Sequence, residues 1–311
     1  MKSRKRDFKR DIINHCYQRT VDGVVLFYSV TDFLVYFTIF SITASKYNVK
    51  VLSSCLMYDH LHHSLITKRV GELSAFMGDV TRNFSRVHNK VCHRKGALFE
   101  SPFGSAPKKG DKAARANIIY VGNNPVERRI CERAEEYRWN FLAYKDNLHP
   151  FSKPLVIRES SSKMKRAIKE VKLCNEAGKP LNYAQLQRMF TTLDRQEKEQ
   201  LVDYIITTYN IIDYAAAARF FDSFEDMIAA MHSNTGSEYD LNEVFVGKCD
   251  KYYPQMSAIV SRYYHDVHDV LGLPEAEKMK VFELLRKETY AMSAQIYKFL
   301  RIPYKVVSND L

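Results

Sequence analysis

Six cysteines in 311 residues, Cys16, Cys55, Cys92, Cys131, Cys174 and Cys249, never form a Cys-x-x-Cys pair. A zinc knuckle or redox dithiol therefore has no signature here, and the cysteines read as reduced, mostly buried thiols. The opening Met1-Lys-Ser-Arg-Lys-Arg-Asp-Phe-Lys-Arg10 lacks an apolar core and a small-residue cleavage site behind it, so no secretory signal is read and a cytoplasmic protein is expected. Long hydrophobic runs are equally scarce. The one candidate, residues 24–42, is interrupted by Ser29, Thr31 and Asp32 and is barely long enough to span a bilayer. Ser29 or Thr31 can instead cap a helix over residues 32–46, with Phe33, Leu34, Phe37 and Phe40 as its core-facing stripe. No internal repeat stands out.

What the chain does have is 46% hydrophobic and 27% charged residues, enough to bury real cores and to exclude fibrous or wholly disordered classes. Its length allows two domains of ordinary size. Lys and Arg number 47 against 36 Asp and Glu, a net charge of +11. The whole excess belongs to residues 1–150, with 25 basic and 14 acidic side chains, while residues 151–311 hold 22 of each. That asymmetry points to a phosphate-binding amino-terminal half and a neutral carboxy-terminal one.

Periodicity predicts strands at 12–18, 49–57 and 60–67, helices at 32–46 and 71–89, a loop or weak hairpin at 101–111, and a short helix at 113–122 stopped by Asn123-Asn124-Pro125. That order is β-α-β-β-α. Ser160-Ser-Ser-Lys163 reads as a linker. Helices are predicted beyond it at 181–189, 194–209, 212–231, 241–247, 256–271 and 275–288, then at 293–300. Strand content, charge balance and linker composition change together near residue 155, giving domains 1–155 and 156–311. Residues 275–311 also hint at a truncated helix-turn-helix whose third helix would begin near Tyr304. With no net charge there, helical packing or a dimer contact competes with base reading.

Two constellations carry chemistry. In His60-Leu61-His62, strand alternation sends both imidazoles to one face, about 7 Å apart, with Leu61 toward the core. Two such rings suit one divalent cation, although a His-x-His also occurs as ordinary packing. Tyr120 and Asn124 stand four residues apart, one turn on the same side of a helix. A phenol is a poor nucleophile unless its proton is taken or its target is polarised, and a metal can polarise a phosphate. With 20 tyrosines in the chain, a packing role for Tyr120 competes with that reading.

In their surroundings these segments become specific. Cys55-Leu-Met-Tyr-Asp-His60-Leu-His62 resembles the Cys-Leu-Met-Pro-Asn-His-hydrophobic-His segment of single-tyrosine HUH transposases. Tyr120-Val-Gly-Asn-Asn124-Pro-Val126 resembles their Tyr-Ile-His-Leu-Asn-Pro-Val segment. Order and separation agree, and His15, Arg19-Thr-Val-Asp-Gly-Val-Val-Leu-Phe27, Gly96-Ala-Leu-Phe-Glu100 and Tyr137-Arg-Trp139-Asn ahead of Tyr144 add further pieces. The branch it resembles most is the REP-associated tyrosine transposases and their insertion-sequence relatives, over about residues 8–150.

The resemblance implies an α+β protein, a ferredoxin-like (RRM-like) HUH catalytic domain followed by an all-α carboxy-terminal domain. It implies His60, His62 and Asn124 as ligands of Mg2+ or Mn2+, and Tyr120 as a nucleophile forming a 5′-phosphotyrosine on single-stranded, hairpin-bearing DNA. It further implies a homodimer, no membrane partner and a nucleoid-associated place in a bacterial cytoplasm. A catalytically silent, domesticated hairpin- or sequence-specific DNA-binding protein is the alternative, and a helix-turn-helix regulator a third. The departures are Asp59 for Asn, Tyr58 for Pro, Gly122 for His, Phe99 for the commoner Trp, and no Arg in Ser101-Pro-Phe-Gly104. Asp59 either helps hold the cation or reshapes the turn; Gly122 is expected to loosen the helix. For DNA contact the candidates are Arg19, Arg82, Arg86, Arg94, Lys95, Lys108, Lys109, Lys112 and Arg115, beside the basic run from Lys2 to Arg10, each competing with a plain solvated surface.

Overall fold

In the computed structural model, which describes residues 8–100, 102–233 and 249–303, four segments pair into one antiparallel sheet. They are β1 (Asn14–Arg19), β2 (Lys50–Leu56), β3 (His60–Ile66) and β4 (Gly104–Pro107), in the spatial order β2-β3-β1-β4. With α1 (Val30–Tyr47) and α2 (Val70–Val91) between them, the chain runs β-α-β-β-α-β, the split β-α-β arrangement. The central strands are β1 and β3, so the His-x-His pair sits in the middle of the sheet.

β4 falls where the sequence reading has a loop or weak hairpin. Gly-Ser-Ala-Pro has almost no strand propensity of its own, and it is recruited by the open edge of β1. The Tyr17 ring lies across Gly104, where a Cβ would collide with it. α3 (Gly110–Glu127) likewise runs past Asn123-Asn124-Pro125, the expected stop. Pro125 stands two residues from the end, so a single backbone bond is forgone in a turn that was about to finish.

Ser29 caps α1 in a capping box: its hydroxyl accepts from Asp32 N at 3.3 Å, and the Asp32 carboxylate accepts from the backbone N–H groups of Ser29 (2.9 Å) and Tyr28 (2.8 Å). Phe33, Leu34, Val35, Tyr36, Phe37, Ile39 and Phe40 are all buried, so α1 is enclosed on every side. The sheet and α2 cover one part; α5 (Tyr183–Thr192) and α6 (Arg195–Tyr209) cover the rest. This enclosure explains the apolar run at 24–42. Among the described residues no helix is long and apolar enough to cross a membrane.

The remaining helices are α4 (Ser162–Glu176), α7 (Tyr214–Ala218), α8 (Phe224–Ser233), α9 (Tyr252–Val260), α10 (Glu275–Glu288) and α11 (Ser293–Leu300). The presumed linker at 160–163 is the start of α4: the Ser161 hydroxyl caps it by accepting from Met164 N at 3.0 Å. Its stripe of Met164, Ala167, Ile168 and Val171 hides among lysines in the sequence. The expected helix at 212–231 breaks in two, because Ser223 caps a fresh start at α8 through a 2.9 Å bond from Asp226 N. The one expected at 256–271 ends at Val260, and a separate 3-10 turn (Val267–Gly272) opens where Asp266 accepts from His268 N at 2.9 Å. The stretch 241–247 and the helix expected from Tyr304 lie outside the described residues.

Packing crosses residue 155 freely. Leu34 and Phe37 of α1 share one hydrophobic core with Leu201, Val202 and Ile205 of α6 and with Phe299 of α11. Asp213 N donates to Val51 O at 2.8 Å, covering the β2 edge of the sheet. A second, smaller core joins Ile118 and Ile119 of α3 to Met227 and Met231 of α8.

Candidate active site

Alternation along β3 splits its histidines between two faces. His63 points toward α1: its ring stacks on Phe40 at 4.4 Å, with Nε2 2.9 Å from the Tyr36 hydroxyl and Nδ1 2.9 Å from the Ser54 hydroxyl. It is a satisfied core histidine, and burial pushes its pKa down to about 3. His60, His62 and Ser64 face the other way, onto α3.

On α3 the residues Asn117, Tyr120 and Asn124 fall at steps of three and four, one stripe along the helix. Asn117 Oδ1 accepts from the Ser64 hydroxyl at 2.8 Å, and Asn124 Oδ1 lies 3.3 Å from His60 Nε2. These two contacts, seven residues apart, mark where the helix lies against the sheet, with Tyr120 between them. The Tyr120 ring meets His62 edge-on at 5.3 Å between centroids and His15 at 5.6 Å. His60, His62, Tyr120 and Asn124 are thus brought together, with Tyr120 2% exposed, His60 2% and His62 1%.

Partners fix the polar atoms. Asn124 Nδ2 donates to Tyr120 O at 2.9 Å, which leaves Oδ1 facing His60. His60 Nδ1 lies 2.5 Å from Asp59 Oδ1, so that nitrogen carries the proton and donates. His60 Nε2 and Asn124 Oδ1 then present lone pairs to each other, an arrangement relieved only by a second ring proton or a cation between them. His62 Nδ1 sits 2.9 Å from His15 Nε2, while the buried His62 Nε2 has no hydrogen-bond partner among the described residues. Burial, then the neighbouring His60 and His15, hold the His62 pKa well below the imidazole range, so the ring is neutral and need not lose a proton to ligate. The donor set is mixed: the two imidazole nitrogens suit first-row transition ions, and the amide oxygen suits harder ions such as Mn2+ or Mg2+. Among the described residues no group of three or more His, Cys, Asp or Glu side chains is arranged to hold a metal ion, here or elsewhere, so a cation at this site would rest on the two imidazoles and the Asn124 amide oxygen.

Asp59 thus engages His60 through Oδ1, and this carboxylate–histidine pairing is typical of metal sites. The role of His15 could not be read in the sequence. Only the register, with His15 opposite Ser64 and Tyr17 opposite His62, reveals that it shares a face with the pair.

No family model matches the chain, and no curated protein matches it. A matching solved structure is a REP-associated tyrosine transposase bound to a REP hairpin. The two chains share 11% identity over 45% of this chain and 81% of that one, with a TM-score of 0.39.

Gly122 does not loosen α3. It is buried, and a Cβ there would come within 2.7 Å of the Met231 Sδ and Cε atoms. The glycine admits α8, which Asn123 Nδ2 secures by donating to Met231 O at 2.7 Å. Replacing Gly122 by His, the residue of the resembling motif, should evict Met231 and cost about 1–3 kcal/mol, the usual price of overpacking. Thermal melts of Gly122→His alone and combined with Met231→Ala check this; the double variant should recover part of the loss.

Among the basic candidates, Arg19 and Lys108 act on the site: Arg19 lowers the His62 pKa, and the half-buried Lys108 lowers that of His15. Arg94 and Lys95 lie on the segment that meets β1 where Glu100 N donates to Arg19 O at 3.0 Å. Arg82 is exposed and ion-paired with Asp79 on α2. With Arg86 it belongs to the helical layer on the sheet face opposite His60 and His62. Lys109, Lys112 and Arg115 are exposed at the start of α3; residues 1–7 of the basic amino-terminal run lie outside the described set. Trp139, Tyr137 and Tyr144 are packing residues: Trp139 stacks on Phe33 at 4.3 Å, Tyr137 donates to Leu56 O at 2.7 Å, and Tyr144 donates to Asp203 Oδ1 at 2.6 Å.

Proposed function

We propose that this protein is a transposase-like strand nuclease and transferase that cuts single-stranded, hairpin-bearing DNA through a covalent tyrosine intermediate. The observation that carries the reading is the convergence of Tyr120, His60, His62 and Asn124 from one strand and one helix, with a bare, buried His62 Nε2 among them. His60, His62 and Asn124 would hold Mg2+ or Mn2+, which when bound polarises and grips the scissile phosphate. The phenolic oxygen of Tyr120 bonds to phosphorus as the P–O3′ bond breaks; the phenol gives up its proton and the departing 3′-oxygen gains one. One phosphoester is exchanged for another, so the 5′-phosphotyrosine keeps the energy needed to rejoin the strand. The charge of residues 1–150, with Arg19 and Lys108 beside the rings, supplies the field that draws in a polyanion. A homodimer of such chains would let two DNA ends be handled together.

The second reading, a catalytically silent hairpin-binding protein, is favoured by the closure of the site, since a phosphate reaches Tyr120 only if its cover moves. One experiment separates the two. Incubate the protein with a set of single-stranded DNA hairpins and Mg2+, resolve the products on a denaturing gel, and map any DNA-bearing peptide. An adduct at Tyr120 is expected; binding without an adduct across the whole set would favour the silent reading.

A further inference from the structure

We propose that His15 is a positioning residue that accepts the Nδ1 proton of His62 when a divalent cation takes up Nε2 of that ring. The inference rests on His62 being a ligand, as read above. It goes further by giving a task to a residue outside the proposed ligand set.

His15 lies on β1 and His62 on β3, the two central strands, on the same face of the sheet. Both rings are buried and stacked, with centroids 5.1 Å apart and planes at 21°. A single contact joins them, His15 Nε2 to His62 Nδ1 at 2.9 Å, and one proton can occupy it. If His62 is the donor, its proton is on Nδ1, its Nε2 is a bare lone pair, and the proton of His15 is on Nδ1. If His15 is the donor, the proton of His62 is on Nε2 and the ring cannot ligate. Each arrangement leaves one buried N–H without a partner, because neither His15 Nδ1 nor His62 Nε2 has one among the described residues. The two tautomers are thus matched in their defect, and a bound cation selects the first.

With a cation on Nε2, His15 does for His62 what Asp59 does for His60, namely accept from the ring nitrogen that faces away from the ligand position. Such outer partners fix ring orientation and tautomer, and removing one typically weakens metal binding about 10–100-fold. A phenylalanine at position 15 keeps a ring of similar size but offers no acceptor. A glutamine offers an amide oxygen able to take the same proton.

The test uses the full chain and Mn2+, with free ion counted by electron paramagnetic resonance. Circular dichroism and thermal melts of each metal-free variant serve as the fold control. His15→Phe should weaken Mn2+ binding about 10–100-fold, and His15→Gln should restore most of it. In long-range 1H–15N spectra of the Mg2+-loaded wild type, the His62 signals, assigned by their loss in His62→Ala, should show the proton on Nδ1. The proposal is overturned if His15→Phe binds Mn2+ as tightly as wild type while His62→Ala does not. It is overturned equally if the loaded wild type carries the His62 proton on Nε2, a measurement that needs no variant at position 15 to fold. Wild type that takes up no Mn2+, or His62→Ala that still does, removes the ligand reading and this inference with it.

Discussion

Replacing Tyr120 by phenylalanine should abolish the protein–DNA adduct outright while leaving hairpin binding and fold in place. In the proposed reaction the Tyr120 hydroxyl oxygen becomes the bridging oxygen of the adduct, so the loss should reach the detection limit rather than a fractional decrease. The substitution removes one oxygen from a ring held by its faces and edges, among His15, His62 and the rest of the α3 stripe. Stability should therefore change by no more than about 1 kcal/mol. A Tyr120→Phe protein that melts like wild type, retards the same hairpins on a native gel and gives no adduct on a denaturing one would tie the chemistry to that hydroxyl. An adduct that persists in the variant would move the nucleophile to another residue. Asn124→Ala is a useful companion: it removes an oxygen donor that faces His60 Nε2, so it should depress the adduct yield without changing where the DNA is attached.

Much of this arrangement is legible in sequence, and the reason is local. A His-x-His on a strand must share a face, and a Tyr with an Asn four residues on must share a helical stripe. The α1 cap, the three predicted strands and α10 and α11 follow from patterns within a dozen residues. What escapes is set by distant segments. β4 has no propensity and exists because β1 offers an edge with Tyr17 ready to cover Gly104. The stripe of α4 is drowned by lysines. Nothing local announces that Gly122 makes room for Met231 of α8, or that His15 lands beside His62, since a register is fixed only when whole strands pair. Asp32 is the plainest case. In the sequence it is a break in an apolar run and the start of the α1 helix, whereas in the fold it is the buried centre of a network that Tyr183 and His268 join from distant segments.

That network carries the largest expected effect on stability. The fully buried Asp32 carboxylate accepts from the Tyr183 hydroxyl at 2.7 Å and from Tyr28 N and Ser29 N, and lies 3.0 Å from His268 Nε2. His268 Nδ1 is in turn 2.6 Å from Asp266 Oδ1. Burial opposes charge on both partners. The attraction outweighs it, holding Asp32 well below the carboxylate range and raising His268 to about 10. Replacing Asp32 by Ala would take from the buried His268 imidazolium the carboxylate at its Nε2, leaving it Asp266 alone, and would open the α1 capping box and remove the acceptor of the Tyr183 hydroxyl. Breaking a buried pair from one side costs about 3–5 kcal/mol. In a chain of this size that is a fall in melting temperature on the order of 10 °C. Asp32→Ala combined with His268→Leu should recover a good part of the loss, because no orphaned charge remains. A single variant that melts within about 2 °C of wild type would show that the pair contributes little net stability. The pH dependence supplies an independent check. A histidine raised in the fold lends its full stability below its unfolded value of 6.5 and loses it as pH climbs through about 10. Buried, neutral His15, His63 and His88, lowered to about 3, act in the opposite sense, their contribution being present above 6.5 and lost as pH falls toward 3. Stability should therefore peak near pH 6.5, and in His268→Gln the decline on the alkaline side should flatten while the acid side stays steep.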